Sequence, residues 1–149
     1  MVTWLLDHGA DPNALGFGGM DLTPLSCAVG IADRSIVELL LSRGGDLNRG
    51  QLFHHAADRV SVDEALLELL DHGKAPFDDI QYESHARSRY LRQDFSRGTP
   101  LHHACASGNT TAVRFLLTKG ADTERLTTRG NKPIELARDE EIRAMINGR

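Results

Sequence analysis

Seven histidines and two cysteines are the residues of this 149-residue chain best suited to chemistry. Four of the histidines form adjacent pairs, His54-His55 and His102-His103. Adjacent residues point to different sides of a helix, whereas two imidazoles sharing one metal or one substrate need a separation of three or four. No cysteine or carboxylate recurs around them at zinc-ligand spacing, so no metal is expected. Nucleophilic catalysis has no local signature either, since a Gly-x-Ser-x-Gly turn is missing. Cys27 stands between Ser26 and Ala28, and Cys105 follows Ala104. Both read as small buried core fillers. The run Gly16-Phe17-Gly18-Gly19 lacks the Lys-Ser/Thr ending of a phosphate-binding loop and reads as turn chemistry. Asp139-Glu140-Glu141 reads as a solvated helix start. The chain is therefore expected to have no catalytic, cofactor-binding or metal-binding residue and not to be an enzyme.

The composition places these residues in a folded, intracellular setting. At 40% hydrophobic and 26% charged residues, the chain is close to the globular average. A net charge of −4 offers no electrostatic reason to bind a polyanion, so nucleic acid is not an expected partner. Two distant cysteines make no disulfide framework and suit a reducing compartment, which implies cytoplasm or nucleus. No apolar run is long enough for a membrane span, and Met1 to Asp11 lack the basic start and apolar stretch of a signal peptide. The expectation is a monomer with no membrane association.

What positions these residues is a repeat. The segment from Thr99, TPLHHACASGNTTAVRFLLTKGADTE, aligns without gaps on the segment from Thr23, TPLSCAVGIADRSIVELLLSRGGDLN. A third copy begins near Gln51, where Phe53-His54-His55-Ala56-Ala57 matches Leu101-His102-His103-Ala104-Cys105, but it has lost the Thr and Pro. The chain opens with VTWLLDHGADPN, the back half of a unit, and closes with GNKPIELARDEEIRAMI, whose Lys132-Pro133-Ile134 follows Thr99-Pro100-Leu101 by 33 residues. This pattern resembles the ankyrin repeat, with its Thr-Pro-Leu-His-x-Ala signature and 33-residue period, over nearly the whole chain. The resemblance implies an all-α solenoid of stacked helix-turn-helix units with hairpin-like finger loops. It also implies that His54 and His102 serve as hydrogen-bond links between neighbouring units.

Each unit can be read physically. Thr99 is placed to cap a helix whose first residue is Pro100, where the missing N–H costs nothing. Leu101, Ala104 and Cys105 form one helical stripe, Gly108 ends the helix, and Ala112, Val113, Leu116 and Leu117 form the stripe of a second. Such a pair cannot cover its own apolar face, so it must stack on neighbours. The expected division is a partial unit at 1–19, a unit at 20–48, a degenerate unit at 49–74, a long finger insertion at 75–98, a unit at 99–124 and a capping unit at 125–149. Opening partway through a unit, the chain reads as a piece of a longer array.

The period breaks twice. The step from Thr23 to Gln51 is five residues short of the period, which stunts a finger, and the step from Gln51 to Thr99 exceeds it by 15. The surplus lies in the stretch from Lys74 to Gly98, which carries half of the aromatic residues and five basic ones. Two readings stand for this elongated loop. Either Tyr82, Arg87, Arg89, Tyr90, Arg92 and Phe95 contact a partner, as Tyr and Arg do at hot spots, or Ile80, Tyr90 and Leu91 pack back on the stack while the arginines are solvated.

By resemblance, the fingers and first helices form a concave surface that binds proteins. Carried over, the contact candidates are Phe17, Met20 and Leu22 in the first finger, Ile31, Asp58, Arg59 and Ser107 at the helix ends, Arg89, Tyr90 and Phe95 in the long loop, and Arg129 and Asn131 in the last finger. Phe17, Met20 and Leu22 either form an exposed apolar patch or tuck under the adjacent finger. The function expected is a non-catalytic module binding a protein partner, with no cofactor. The alternative is a structural segment of a larger protein whose activity lies elsewhere.

Overall fold

The computed structural model describes residues 1–59 and 62–148, and at Phe17 the backbone alone. Nine α-helices make up the architecture among the described residues, and no strand is present beyond an isolated antiparallel bridge between Gly16 and Met20 in the first finger. After α1 (Val2–Asp7) come two helix pairs, α2 (Pro24–Ile31) with α3 (Arg34–Ser42), and α4 (Leu52–Ala57) with α5 (Glu64–His72). A short helix α6 (Ala86–Leu91) lies in the insertion, followed by the pair α7 (Pro100–Ser107) and α8 (Thr110–Thr118). The chain ends in a 3-10 turn at Pro133–Leu136 and α9 (Glu140–Asn147).

The helix starts follow from side-chain caps. Thr23 Oγ1 accepts from the Ser26 amide at 3.2 Å and Ser26 Oγ accepts from the Thr23 amide at 3.0 Å, with Pro24 at the first helical position. Asp63, Asn109 and Asp139 cap α5, α8 and α9 through their side-chain oxygens. Gly44, Gly108 and Gly120 follow helix ends with φ of 89°, 77° and 90°, the left-handed stop that a side chain would strain.

Two ladders of helices result. The inner one runs α2, α4, α7 and the Pro133–Leu136 turn, and the outer one includes α5, α8 and α9. Between them lies a continuous core, with Leu25 and Val29 of α2, Phe53 and Ala56 of α4, and Leu101 and Ala104 of α7 facing Val37, Leu67, Leu70, Val113 and Leu116 of the outer helices. Phe53 is its centre, with its ring 6.2 Å from that of Phe115 and 6.3 Å from that of Phe77. Small residues in the inner helices let the backbones approach and keep each unit dependent on its neighbours.

Two expectations are corrected. Cys27 is exposed rather than a core filler, because among the described residues no inner helix covers that flank of α2. The insertion is not a plain loop, since α6 occupies its middle and docks on the first finger. The Asp21 amide donates to Ser88 Oγ at 2.8 Å and Arg87 Nε donates to the Gly18 carbonyl at 3.0 Å. The insertion thus reaches back past the stunted second finger to the first.

Candidate functional site

The units are joined by one repeated hydrogen bond. Ser26 Oγ donates to the Gly50 carbonyl at 2.7 Å, His54 Nε2 donates to the Gly98 carbonyl at 3.1 Å, and His102 Nε2 donates to the Asn131 carbonyl at 3.0 Å. Donation from Nε2 fixes the neutral tautomer, leaving Nδ1 as an acceptor. In His102, Nδ1 accepts from the Thr99 amide at 3.0 Å and faces Thr99 Oγ1 at 2.9 Å. In His54, with Gln51 in place of that Thr, Nδ1 is buried without a protein partner. Burial holds both imidazoles below the ordinary histidine pKa, His54 furthest, with His103 nearby adding to it. The first histidine of each pair is therefore structural.

The second of each pair faces outward from the inner helices toward the insertion. His103 Nδ1 is 2.8 Å from Asp58 Oδ1, and its ring meets that of His54 edge-on at 5.1 Å. Two adjoining cavities open here. One, of about 310 Å³, lies between α4, α7 and the insertion and is walled by His55, Tyr82, Arg92, Phe95, Arg97 and His103. The other, of about 250 Å³, shares Asp58, Ser96 and His103 with it and extends to Ala106, Arg129 and Leu136. Arg92 lies over the Phe95 ring at 5.4 Å, a cation–π contact. Among the described residues no group of three potential metal ligands is assembled. The Cys105 thiol is fully buried and pushed up to about 12, chiefly by burial, which leaves it unreactive.

The family profile described as ankyrin repeats in three copies matches residues 25–127 and 53–146. The chain belongs to the ankyrin repeat family. Relatives of this ankyrin-repeat chain include mouse Rabankyrin-5, 33% identical over 111 residues that make up 71% of the chain and 8% of that protein. The bovine mitochondrial disaggregase is 29% identical over 148 residues, 97% of the chain and 20% of that protein. Ankyrin repeat domain-containing protein 40 of mouse is 44% identical over 48 residues, 32% of the chain and 13% of that protein. The chain thus spans a small part of each relative it matches. No helix among the described residues is long and apolar enough to cross a membrane.

Within the ankyrin stack, the contact candidates divide into three groups. Asp58, Phe95, Arg129 and Asn131 come together around the two cavities, with Phe95 59% exposed. Arg89 and Tyr90 lie on α6, both exposed, and Ile31 stands alone at the end of α2, 87% exposed beside Val2, Cys27 and Ile36. Arg59 and Ser107 are tied into the stack instead. Arg59 donates to the Val29 and Ala32 carbonyls at 2.9 and 3.2 Å, and Ser107 Oγ donates to the Ala57 carbonyl at 2.7 Å. Each caps the end of a neighbouring helix, so neither side chain projects freely. Met20 and Leu22 are half-buried and form no projecting patch, and the Phe17 side chain lies outside the described residues.

The packing reading of the loop fails for Tyr90 and Leu91, which are 67% and 43% exposed, and the residue that packs back is Tyr82, one of the contact candidates. Tyr82 is buried, 5% exposed, with its amide donating to Gln51 Oε1 at 3.0 Å, whereas Tyr90 and Phe95 remain exposed. The contact candidates carried over from the family do not include His55, His103 or Arg97, and Arg92 enters through the loop reading alone. The arginine-rich insertion and the second histidine of each pair were the signals for them.

Proposed function

We propose that this chain is a non-catalytic protein-binding module whose partner lies against the inner helices α4 and α7 and the insertion. The observation that carries this reading is the pair of adjoining open cavities there, flanked by the exposed Phe95 and by Arg129. Exposed aromatic and arginine side chains beside a preformed concavity are the usual composition of an interface hot spot. Arg89 and Tyr90, exposed on α6 of the same insertion, form a second part of the proposed interface. Ankyrin repeats commonly bind proteins, which agrees with this geometry.

The test is affinity capture from a lysate of the source cells. The triple variant R89A/Y90A/F95A should retain the helical signal and thermal transition while losing at least tenfold in captured partner. Undiminished capture with intact folding would remove this surface from the interface. A second reading, a structural segment of a larger protein, is favoured by the small share of each relative that the chain spans. It predicts no captured partner for the isolated domain.

A further inference from the structure

We propose that the cavity between the insertion and helices α4 and α7 receives a single anionic side-chain group, a carboxylate or a phosphoryl, from the bound protein. This rests on the protein-binding reading. Three observations converge on the cavity of about 310 Å³. Two guanidinium groups line it, and among the described residues neither Arg92 nor Arg97 has a carboxylate within 4.0 Å. Arg97 Nε and His55 Nε2 are both buried without a protein partner, although both residues form the cavity wall. The cavity's own carboxylate, Asp58, is engaged by His103 at 2.8 Å. The Arg97 Nε–H, buried without an acceptor, gains a hydrogen bond when an acceptor enters beside it, and His55 Nε2 donates there when that nitrogen carries the imidazole proton.

The Phe95 ring, 5.4 Å from the Arg92 guanidinium, holds that cation at the cavity wall, and a guanidinium suits the planar or tetrahedral oxygens of one anion. A polyanion is a poor occupant. The chain is acidic overall, at −4, so its field repels an extended nucleic acid while leaving this local pair of arginines available to one charge. The adjoining cavity, with Ala106 and Leu136 in its wall, would take an apolar side chain beside the anionic one.

The test uses the whole chain and free anions as probes. Inorganic phosphate and acetate are titrated separately at constant ionic strength while the arginine Nε–H signals are followed by NMR. The expected result is a saturable shift of the Arg97 and Arg92 signals in the millimolar range with at least one of the two anions, and no such shift at Arg114. Which anion saturates tells phosphoryl from carboxylate. Arg97→Gln, and independently Arg92→Gln, should weaken the response at least tenfold with the amide spectrum of α7 unchanged. Shifts that are linear and equal at Arg97 and Arg114 with both anions would overturn the proposal. So would undiminished partner capture by the folded Arg97→Gln variant, which would leave the protein-binding reading standing.

Discussion

At the scale of single residues, the bond between units asks for a donor on each inner helix, and Ser26, His54 and His102 supply it to Gly50, Gly98 and Asn131. Of these three copies, the one with His54 lacks the threonine that the other two have as Thr23 and Thr99. Gln51 has φ 57° and ψ 46°, a left-handed conformation in which a β-branched residue is strained, and its amide side chain is bonded to Asp21 and to the Tyr82 amide. Restoring the family threonine with Gln51→Thr should therefore destabilise, by about 1–3 kcal/mol, as a lower urea midpoint. The histidines set a pH dependence. Burial lowers the pKa of His54, His55 and His102 in the folded state, so below the ordinary histidine value of about 6.5 the unfolded chain binds more protons. Stability is fully present above that value and falls as the pH drops through it, by up to about 1.4 kcal/mol per pH unit for each histidine that stays neutral. Urea midpoints should be level from pH 8 to 7 and decline from pH 6.5 to 5. The decline should be shallower in His54→Gln, whatever that variant loses at neutral pH.

At the scale of elements, the short finger and the long one belong together. Asp21 accepts from the Gly50 amide and from Gln51 Nε2, both at 2.9 Å, and its own amide donates to Ser88 Oγ at the inner side of α6. Removing that hydroxyl leaves a buried N–H without an acceptor, at a cost of about 1–3 kcal/mol. Ser88→Ala should raise amide exchange at Asp21 by roughly tenfold or more and speed tryptic cleavage after Arg87, Arg89 and Arg92, with α7 and α8 still protected. The repeated units were legible in the sequence because Thr-Pro-Leu, the paired leucines and the glycine stops each have a local physical cause. The insertion was legible as a surplus but not as a helix that docks. Its six helical residues, ARSRYL, carry little periodicity, and the bond that seats them joins Asp21 to Ser88 across 67 positions. The site was half legible for the same reason. Asp58, Phe95, Arg129 and Asn131 follow from their place in the repeat, whereas Arg59 and Ser107 turn out to cap helices of the preceding unit, a use that depends on the stacking distance rather than on their own neighbours in sequence.

At the scale of the whole molecule, stability is carried by contacts between adjacent units, so the effect of a cavity depends on where in the stack it is made. Phe53 lies in the middle, 1% exposed, and touches the aromatic rings of both its own finger and the next unit. Ile142 is equally buried but sits on α9, which packs chiefly on α8 and the last turn. Truncating either residue removes a fully buried side chain, at about 3–5 kcal/mol for Phe53→Ala and about 2–5 kcal/mol for Ile142→Ala. In a chain with one closed core both variants would lower every amide's protection alike. In a stack held by neighbours, Ile142→Ala should open α9 and leave the amides of Leu66 and Leu67 exchanging at their original rates. Phe53→Ala severs the coupling between the units on either side and should lower protection from α2 through α8, with a broader thermal transition. Amide exchange measured on both variants at one pH decides between these outcomes, and equal loss at Leu67 in both would show that the helices unfold as a single unit.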